Sequence, residues 1–405
     1  MRILHISPSY YPAQEFGGPV FSVHQLNRAL VDQHVQVDVI TTWAGLAECN
    51  RSSAVDSYVQ ENDWYLVDGV RVRYLPYIGY VHFTFCRSLI PVLKACMRNY
   101  DLVHITALWN YPSWMGALMA YRYQIPYIIS FRGTLYPFAM RLKSFRKKQM
   151  VYYLIGKKVL QRAAAVHFTS EDEKTKTLQW LKLHVPAVVV PNGMDVSPCE
   201  KTYARAMLHV MHIPDNRPYV LILGRLHRIK GFDLLIPAFA QLQEQIPHVL
   251  VIAGNTHTDD AEWVRQLVQQ YGLRERVIFT GEVSGDAKWA LYQHADMFVL
   301  PSYSENFAMS VVEAMACGCP VIVSDQVGIH SEIAARQAGI VHRLHISDLR
   351  EAMLQIVSQP ALRAQLSQRG RDLVKEKYEI RNVACQMKRE YEKIINLHVH
   401  KRIKT

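Results

Sequence analysis

Between Leu102 and Ser170 this 405-residue chain has no Asp or Glu, although ten Lys or Arg fall in the same stretch. A segment so one-sided requires either an anionic partner or a solvated face. Other absences narrow the class of protein. The seven cysteines (Cys49, Cys86, Cys96, Cys199, Cys317, Cys319 and Cys385) form no paired framework, and an odd number suits a reducing compartment. Cys317-x-Cys319 lacks zinc-ligand spacing and reads instead as buried thiols at a helix end. Apolar runs such as Pro112–Tyr121 fall well short of the ~18 residues a membrane span needs. Met1–Ser7 reads directly as a strand, with no charged leader before an apolar core, so secretion is not expected. No internal repeat or low-complexity segment is found.

What is present is ordinary globular material, 50% hydrophobic and 20% charged, with net charge +11. Its length suits two domains of roughly 200 residues each. Short β-branched runs alternate with helical patterns from Ile3–Ser7 to Val188–Val190, then restart after Asn192-Gly193 and run from Tyr219–Leu223 to Gly339–His342. That alternation specifies α/β architecture with two doubly wound, Rossmann-like parallel sheets. Near the end Ile380, Val383, Met387, Tyr391 and Ile395 form one helical stripe, and the tail from Leu397 is expected to fray. Within the acid-free stretch, residues 141–162 interleave cations with Phe145, Tyr152, Leu154 and Ile155, as a surface-seeking amphipathic helix does. Anionic lipid head groups are the preferred partner, the alternative being a solvated helix packed on its own domain. No recognised RNA or DNA module surrounds the patch, so nucleic acid is not expected.

The richest chemistry lies in Pro301–Asp325, where Glu305 and Glu313 stand eight positions apart. A strand over Met297–Leu300 ends at Pro301, and Met309, Val312, Met315 and Ala316 recur at helical spacing until Gly318 stops them. Glu305 therefore sits on a loop and Glu313 in the first turns of a helix. Amides at Asn306, Phe307, Ala308 and Met309 face the strand ends, where open α/β sheets bind ligands and helix N-termini attract phosphate. The bland readings are a solvated loop acid and a partner for the helix dipole.

This segment resembles the Glu-x7-Glu signature of family-4 glycosyltransferases, retaining enzymes whose GT-B architecture sets two Rossmann-like domains across an interdomain cleft. Gly224-Arg225 and Lys230-Gly231 resemble the family's Gly-Arg…Lys-Gly element, Gly17-Gly18-Pro19 its N-terminal glycine loop, and Val190-Pro191-Asn192-Gly193 its crossover segment. The resemblance implies that Arg225 and Lys230 hold a nucleotide-sugar diphosphate, Glu305 the sugar and Glu313 the ribose. It further implies that Gly17, Gly18, Asn255 and Val283 join the donor site, Val283 through main-chain contacts to the base. It places domains at 1–198 and 199–377, with a closing helix, 378–405, crossing back to the first. The sequence departs from the family at Arg132, where many relatives carry a His lining the reaction centre. A guanidinium stays protonated, so it can bind an anionic donor phosphate or an acidic acceptor but cannot act as a base. His104, Thr106 and Trp109 are further acceptor-side candidates, with a buried structural role the alternative for His104.

No Asp-x-Asp metal handle occurs, and cationic side chains with amides can stabilise a departing phosphate without metal. The implied activity is metal-independent, anomer-retaining transfer of a hexose-type sugar from a nucleotide-diphosphate donor, with no cofactor. The implied acceptor is a glycan or polyprenyl-linked glycan of bacterial surface polysaccharide, met by a peripheral enzyme at the cytoplasmic face of the membrane. Two competing readings are a nucleotide-sugar 2-epimerase of similar fold and a noncatalytic nucleotide-sugar-binding protein.

Overall fold

A computed structural model describes residues 1–13, 17–46, 64–141 and 145–403. Cys49 and Lys143 lie outside the described residues. The chain divides into two compact units, Met1–Gly193 with Ile380–Thr405, and Met194–Glu379. The divide falls at Gly193 and Glu379 rather than at residues 198 and 377, because Met194 and Tyr378 are buried in the core of the second unit.

In the first unit eight strands run β1 (Arg2–Ile6), β2 (Gln36–Thr42), β3 (Tyr65–Val67), β4 (Val70–Leu75), β5 (Leu102–Thr106), β6 (Tyr127–Ser130), β7 (Ala165–Phe168) and β8 (Ala187–Val189). Their order in the sheet is β3-β4-β2-β1-β5-β6-β7-β8, parallel throughout except for the β3–β4 hairpin. That hairpin escapes the sequence reading, although Asp68-Gly69 carries its signal. Both residues have positive φ, 47° and 82°, as a tight hairpin turn requires. The central strand β5 is buried from end to end, which a parallel strand covered on both faces demands.

Helix Ile380–Ile403 closes this unit, burying Val383, Ala384, Met387 and Tyr391 against Leu26, Ala29 and Leu30 of helix Gly18–Asp32. It does not fray at Leu397: His398 Nε2–H donates to the Gln124 carbonyl at 2.9 Å, and the helix runs on to Ile403.

The basic stretch also differs from one continuous amphipathic helix. Helix Phe145–Val151 passes into a π-turn over Tyr152–Gly156 and then helix Lys157–Arg162. The extra residue of a π-turn shifts the phase of everything after it. Tyr152 consequently turns into the core at 3% exposure, whereas Tyr153 and Leu154 are thrown outward at 60% and 64%. Gly156 favours this, since a Cβ there would crowd the Tyr152 ring at 3.3 Å.

The second unit carries β9 (Tyr219–Leu223), β10 (Val249–Ala253), β11 (Val277–Gly281), β12 (Met297–Leu300), β13 (Val321–Ser324) and β14 (Ile340–His342). The order is β11-β10-β9-β12-β13-β14, all parallel. Sequence order reverses between β9 and β12, the switch point outside which such sheets gather ligand-binding loops.

Candidate active site

The loop after β9 and the loop after β12 meet at this switch point. Gly231, at φ 76°, lies so close to β12 that a Cβ would stand 2.1 Å from the Pro301 carbonyl oxygen. The Tyr303 N–H donates to the Ile229 carbonyl at 2.8 Å, tying the two loops together. Next along, Glu305 N–H donates to the Gln326 carbonyl at 3.1 Å, and Gly328 N–H to the Glu305 carbonyl at 2.8 Å. Glu305 is thus held by main chain on both sides. Its carboxylate accepts from Lys230 Nζ at 2.5 Å, so two residues 75 positions apart form one half-buried ion pair.

Helix Met309–Ala316 starts beside Glu305. Ala308 precedes it in the left-handed region, φ 67°, and no side chain caps the helix. The first N–H groups of such a helix have no intrahelical partner, which leaves them for an anion. Glu313 lies one turn in. Lys288 Nζ donates to its Oε1 at 2.9 Å, and the Tyr292 hydroxyl donates to its Oε2 at 3.0 Å. Burial, then the Glu313 carboxylate, push the Tyr292 pKa far up, so this tyrosine is a hydrogen-bond donor. Sequence reasoning missed Lys288 and Tyr292. Their only mark is a spacing of four, which puts both on one face of helix Gly285–His294.

Arg225 is exposed and forms no ion pair among the described residues. Asn255 is also exposed, its Oδ1 accepting from His257 N–H at 2.9 Å, while Val283 is half-buried against the core. Gly224 lies beside Lys230, whose Nζ would stand in ordinary contact, 3.9 Å, with a Cβ there.

In the first unit Gly17 (φ 70°) and Gly18 open the helix Gly18–Asp32, and a Cβ on either would meet nothing within 4 Å. Arg132 donates from Nη1 to Ser22 Oγ at 2.8 Å and to Asn192 Oδ1 at 2.5 Å. Trp109 is half-buried, its Nε1–H directed at the Thr134 carbonyl at 3.4 Å.

His104 and Thr106 do not line a surface. Both side chains of β5 are buried in a polar network beneath the sheet's flanking helices. His167 Nε2–H donates to the Val190 carbonyl, so its Nδ1 accepts from the Ser130 hydroxyl. Ser130 in turn accepts from His104 Nε2–H at 2.7 Å, and His104 Nδ1 accepts from the Tyr391 hydroxyl at 2.6 Å. His5 donates to Asn27 Oδ1 at 2.9 Å and accepts from Thr106 at 2.8 Å. Every ring nitrogen has a partner with the rings neutral. Burial accordingly drives His5 and His167 down to about 3 and His104 well below its ordinary value.

The acid-free stretch builds a separate feature. A groove of about 190 Å³ between helices Tyr111–Arg122 and Lys157–Arg162 is lined by Trp114, Leu118, Tyr121, Leu154 and Ile155, with Lys158 and Arg162 beside them. The Arg162 guanidinium sits 4.2 Å from the centre of the Tyr121 ring. Among the described residues no helix is long and apolar enough to cross a membrane. Cys317 and Cys319 are buried thiols, Cys317 Sγ lying 2.9 Å from Cys199 Sγ.

Residues 16–198 match the model of Glycosyltransferase Family 4, and residues 208–373 that of Glycosyl transferases group 1. An uncharacterized glycosyltransferase of Methanocaldococcus jannaschii is 27% identical over 92% of this chain and 94% of its own length. Sucrose-phosphate synthase from Thermosynechococcus elongatus superposes with a TM-score of 0.75 at 21% identity, over 98% of this chain and 100% of that one. Anabaena HepE, solved with UDP-glucose, gives 0.73 at 17% identity, over 97% and 100%. With each unit matched by a glycosyltransferase model and both built as GT-B parallel-sheet units, the chain belongs to the family-4 glycosyltransferases.

Proposed function

We propose that this protein transfers a hexose-type sugar, with retention at the anomeric carbon and without a metal ion, from a nucleotide-diphosphate donor to a glycan or polyprenyl-linked acceptor. The carrying observation is the Lys230–Glu305 pair, held at 2.5 Å beside the uncapped start of the helix that bears Glu313. Departure of a nucleoside diphosphate concentrates negative charge on phosphate oxygen and positive charge on the anomeric carbon. Lys230, Arg225 and the amides of Phe307, Ala308 and Met309 supply positive potential for the first, and the Glu305 carboxylate steadies the second. In front-face transfer the acceptor hydroxyl oxygen bonds to the anomeric carbon as the sugar–phosphate bond breaks, and its proton passes to the departing phosphate oxygen. No protein nucleophile is consumed, so these side chains act by positioning and by field. Glu313, fixed by Lys288 and Tyr292, keeps lone pairs for the paired hydroxyls of a ribose. The UDP-glucose bound by the Anabaena relative supports a UDP-sugar as first donor to test.

The exposed apolar and basic surface around Leu154 supports a working position at an anionic membrane face on the cytoplasmic side, with a role in surface polysaccharide assembly. A thermal-shift screen of UDP-, GDP-, ADP- and TDP-sugars identifies the donor, since ligand at 100 times its Kd stabilises by about 2.7 kcal/mol. Turnover with that donor should survive EDTA. Complete loss under chelation, restored by Mg²⁺ or Mn²⁺, rejects metal-independent transfer.

A further inference from the structure

Arg132 carries three costs at once. Its backbone lies in the left-handed region at φ 48°, a conformation that strains a side-chain-bearing residue and concentrates at ligand sites. Its Nε is buried with no hydrogen-bond partner. Its Nη1 reaches only neutral oxygens, those of Ser22 and Asn192, and no ion pair to it forms among the described residues. Burial pulls its pKa down to about 10, with the field of Glu173 opposing, so it remains a cation at neutral pH. A desolvated cation without a paired anion is costly, and an orphaned buried donor signals a missing ligand, water or ion.

The position of this guanidinium adds a second field. Ser22 belongs to helix Gly18–Asp32, and its hydroxyl donates to the Pro19 carbonyl at 3.2 Å while accepting from Arg132. Arg132 is thereby fastened beneath the opening turns of a 15-residue helix that has no side-chain cap and no acid in its first turn. Helix N-terminus and guanidinium reinforce one another toward negative charge.

We propose that Arg132, lying beside the positive end of helix Gly18–Asp32, binds an anionic group on the acceptor, so that the acceptor is a sugar bearing phosphate or carboxylate. This inference rests on the glycosyltransferase reading above. It is separable from it, because Arg225, Lys230 and Glu313 belong to the other unit.

The test is calorimetric titration of the full chain, saturated with UDP, with glucose 6-phosphate, glucuronate and glucose. Either or both anionic sugars should bind at least about tenfold more tightly than glucose, the scale of a hydrogen bond to a charged group. The tighter of the two names the anion. Arg132→Gln should abolish that preference and leave UDP affinity unchanged, and Arg132→Lys, lacking the fork, should restore only part. Should Arg132→Gln fail to fold, protection of Arg132 in the wild-type chain from phenylglyoxal, read by peptide mass spectrometry, replaces it. Glucose 6-phosphate or glucuronate should then protect where glucose does not. Equal affinity for all three sugars, an anion preference that survives Arg132→Gln, or equal protection by glucose overturns the proposal. Absence of UDP binding to the wild type strikes the donor reading instead.

Discussion

At the scale of single residues the decisive contact is Lys230 with Glu305, 75 positions apart in the chain. The glycine after Lys230 serves it, since Gly231 lets the loop touch Pro301. Lys230→Ala and Glu305→Ala should each lower kcat by roughly 10²-fold or more, the scale of a lost preorganised electrostatic contact. Near wild-type kinetics in both folded variants would remove the pair from the chemistry. Lys288 acts one step back, through Glu313. Lys288→Gln should raise the donor KM several-fold with kcat little changed, and Glu313→Ala should chiefly weaken nucleotide binding. A fall in kcat at constant KM would place Lys288 at the reacting centre. Which residues would carry charge was legible in the sequence, because Glu-x7-Glu and Arg-x4-Lys are local patterns. That Lys288 serves Glu313 was not, since 25 residues and a whole strand separate them.

The elements show a second kind of constraint. Helix Ile380–Ile403 is fastened to the first unit by apolar burial and by polar contacts, among them the buried Tyr391 hydroxyl on His104. Tyr391→Phe should cost about 1 kcal/mol, the net value of a hydrogen bond, because His104 Nδ1 then lacks its donor. The same network makes this helix sensitive to acid. His5 and His167 are neutral in the fold down to about pH 3 and His104 far below its ordinary value, whereas an unfolded histidine takes up its proton near pH 6.5. Below that pH the unfolded chain binds more protons than the folded one, so stability is complete above it and is lost as pH falls. Each histidine contributes about 1.4 kcal/mol per pH unit. Glu173, whose pKa burial raises, opposes this as a single group among three histidines. Hydrogen exchange of residues 383–394, corrected for intrinsic rate, should show lower protection at pH 5.5 than at pH 7.5. Equal protection would mean that the network does not bear on the helix. The π-turn at Tyr152–Gly156 belongs to this scale too. Its period was invisible in a pattern that fits a regular helix, and only packing of Gly156 against Leu108 and Tyr152 reveals it.

For the molecule as a whole the governing quantity is the separation of charge along the chain. Ten cations and no acid fall between Leu102 and Ser170, and Lys158 and Arg162 of that stretch flank an apolar groove, while Arg225, Lys230, Glu305 and Glu313 lie in the other unit. Each Lys or Arg near an anionic bilayer contributes about 1 kcal/mol, screened within a Debye length of roughly 8 Å at physiological salt. Changing Arg146, Lys147, Lys148, Lys157 and Lys158 to Gln should release the protein from phosphatidylglycerol vesicles and leave donor binding intact. Wild-type binding should fall with added salt. Equal sedimentation of both proteins with liposomes would assign the patch to folding or to soluble acceptors.

The sequence by itself determined the two doubly wound sheets, the positions of most strands, the helix after Pro301 and the carboxylates and cations of the candidate site. These follow from alternation, helical spacing and turn residues, all of which act over a few positions. The family resemblance, not local pattern, marked Arg132 as the odd residue of its loop. Only the tertiary structure decided that His104 and Thr106 belong to a buried network, because exposure of a strand residue depends on what distant helices cover it. Likewise it decided that Tyr152 faces inward, that Lys288 and Tyr292 hold Glu313, and that Arg132 ends on Ser22 and Asn192. Those outcomes are set by contacts between segments far apart in the chain, where no local periodicity reports which side chains meet.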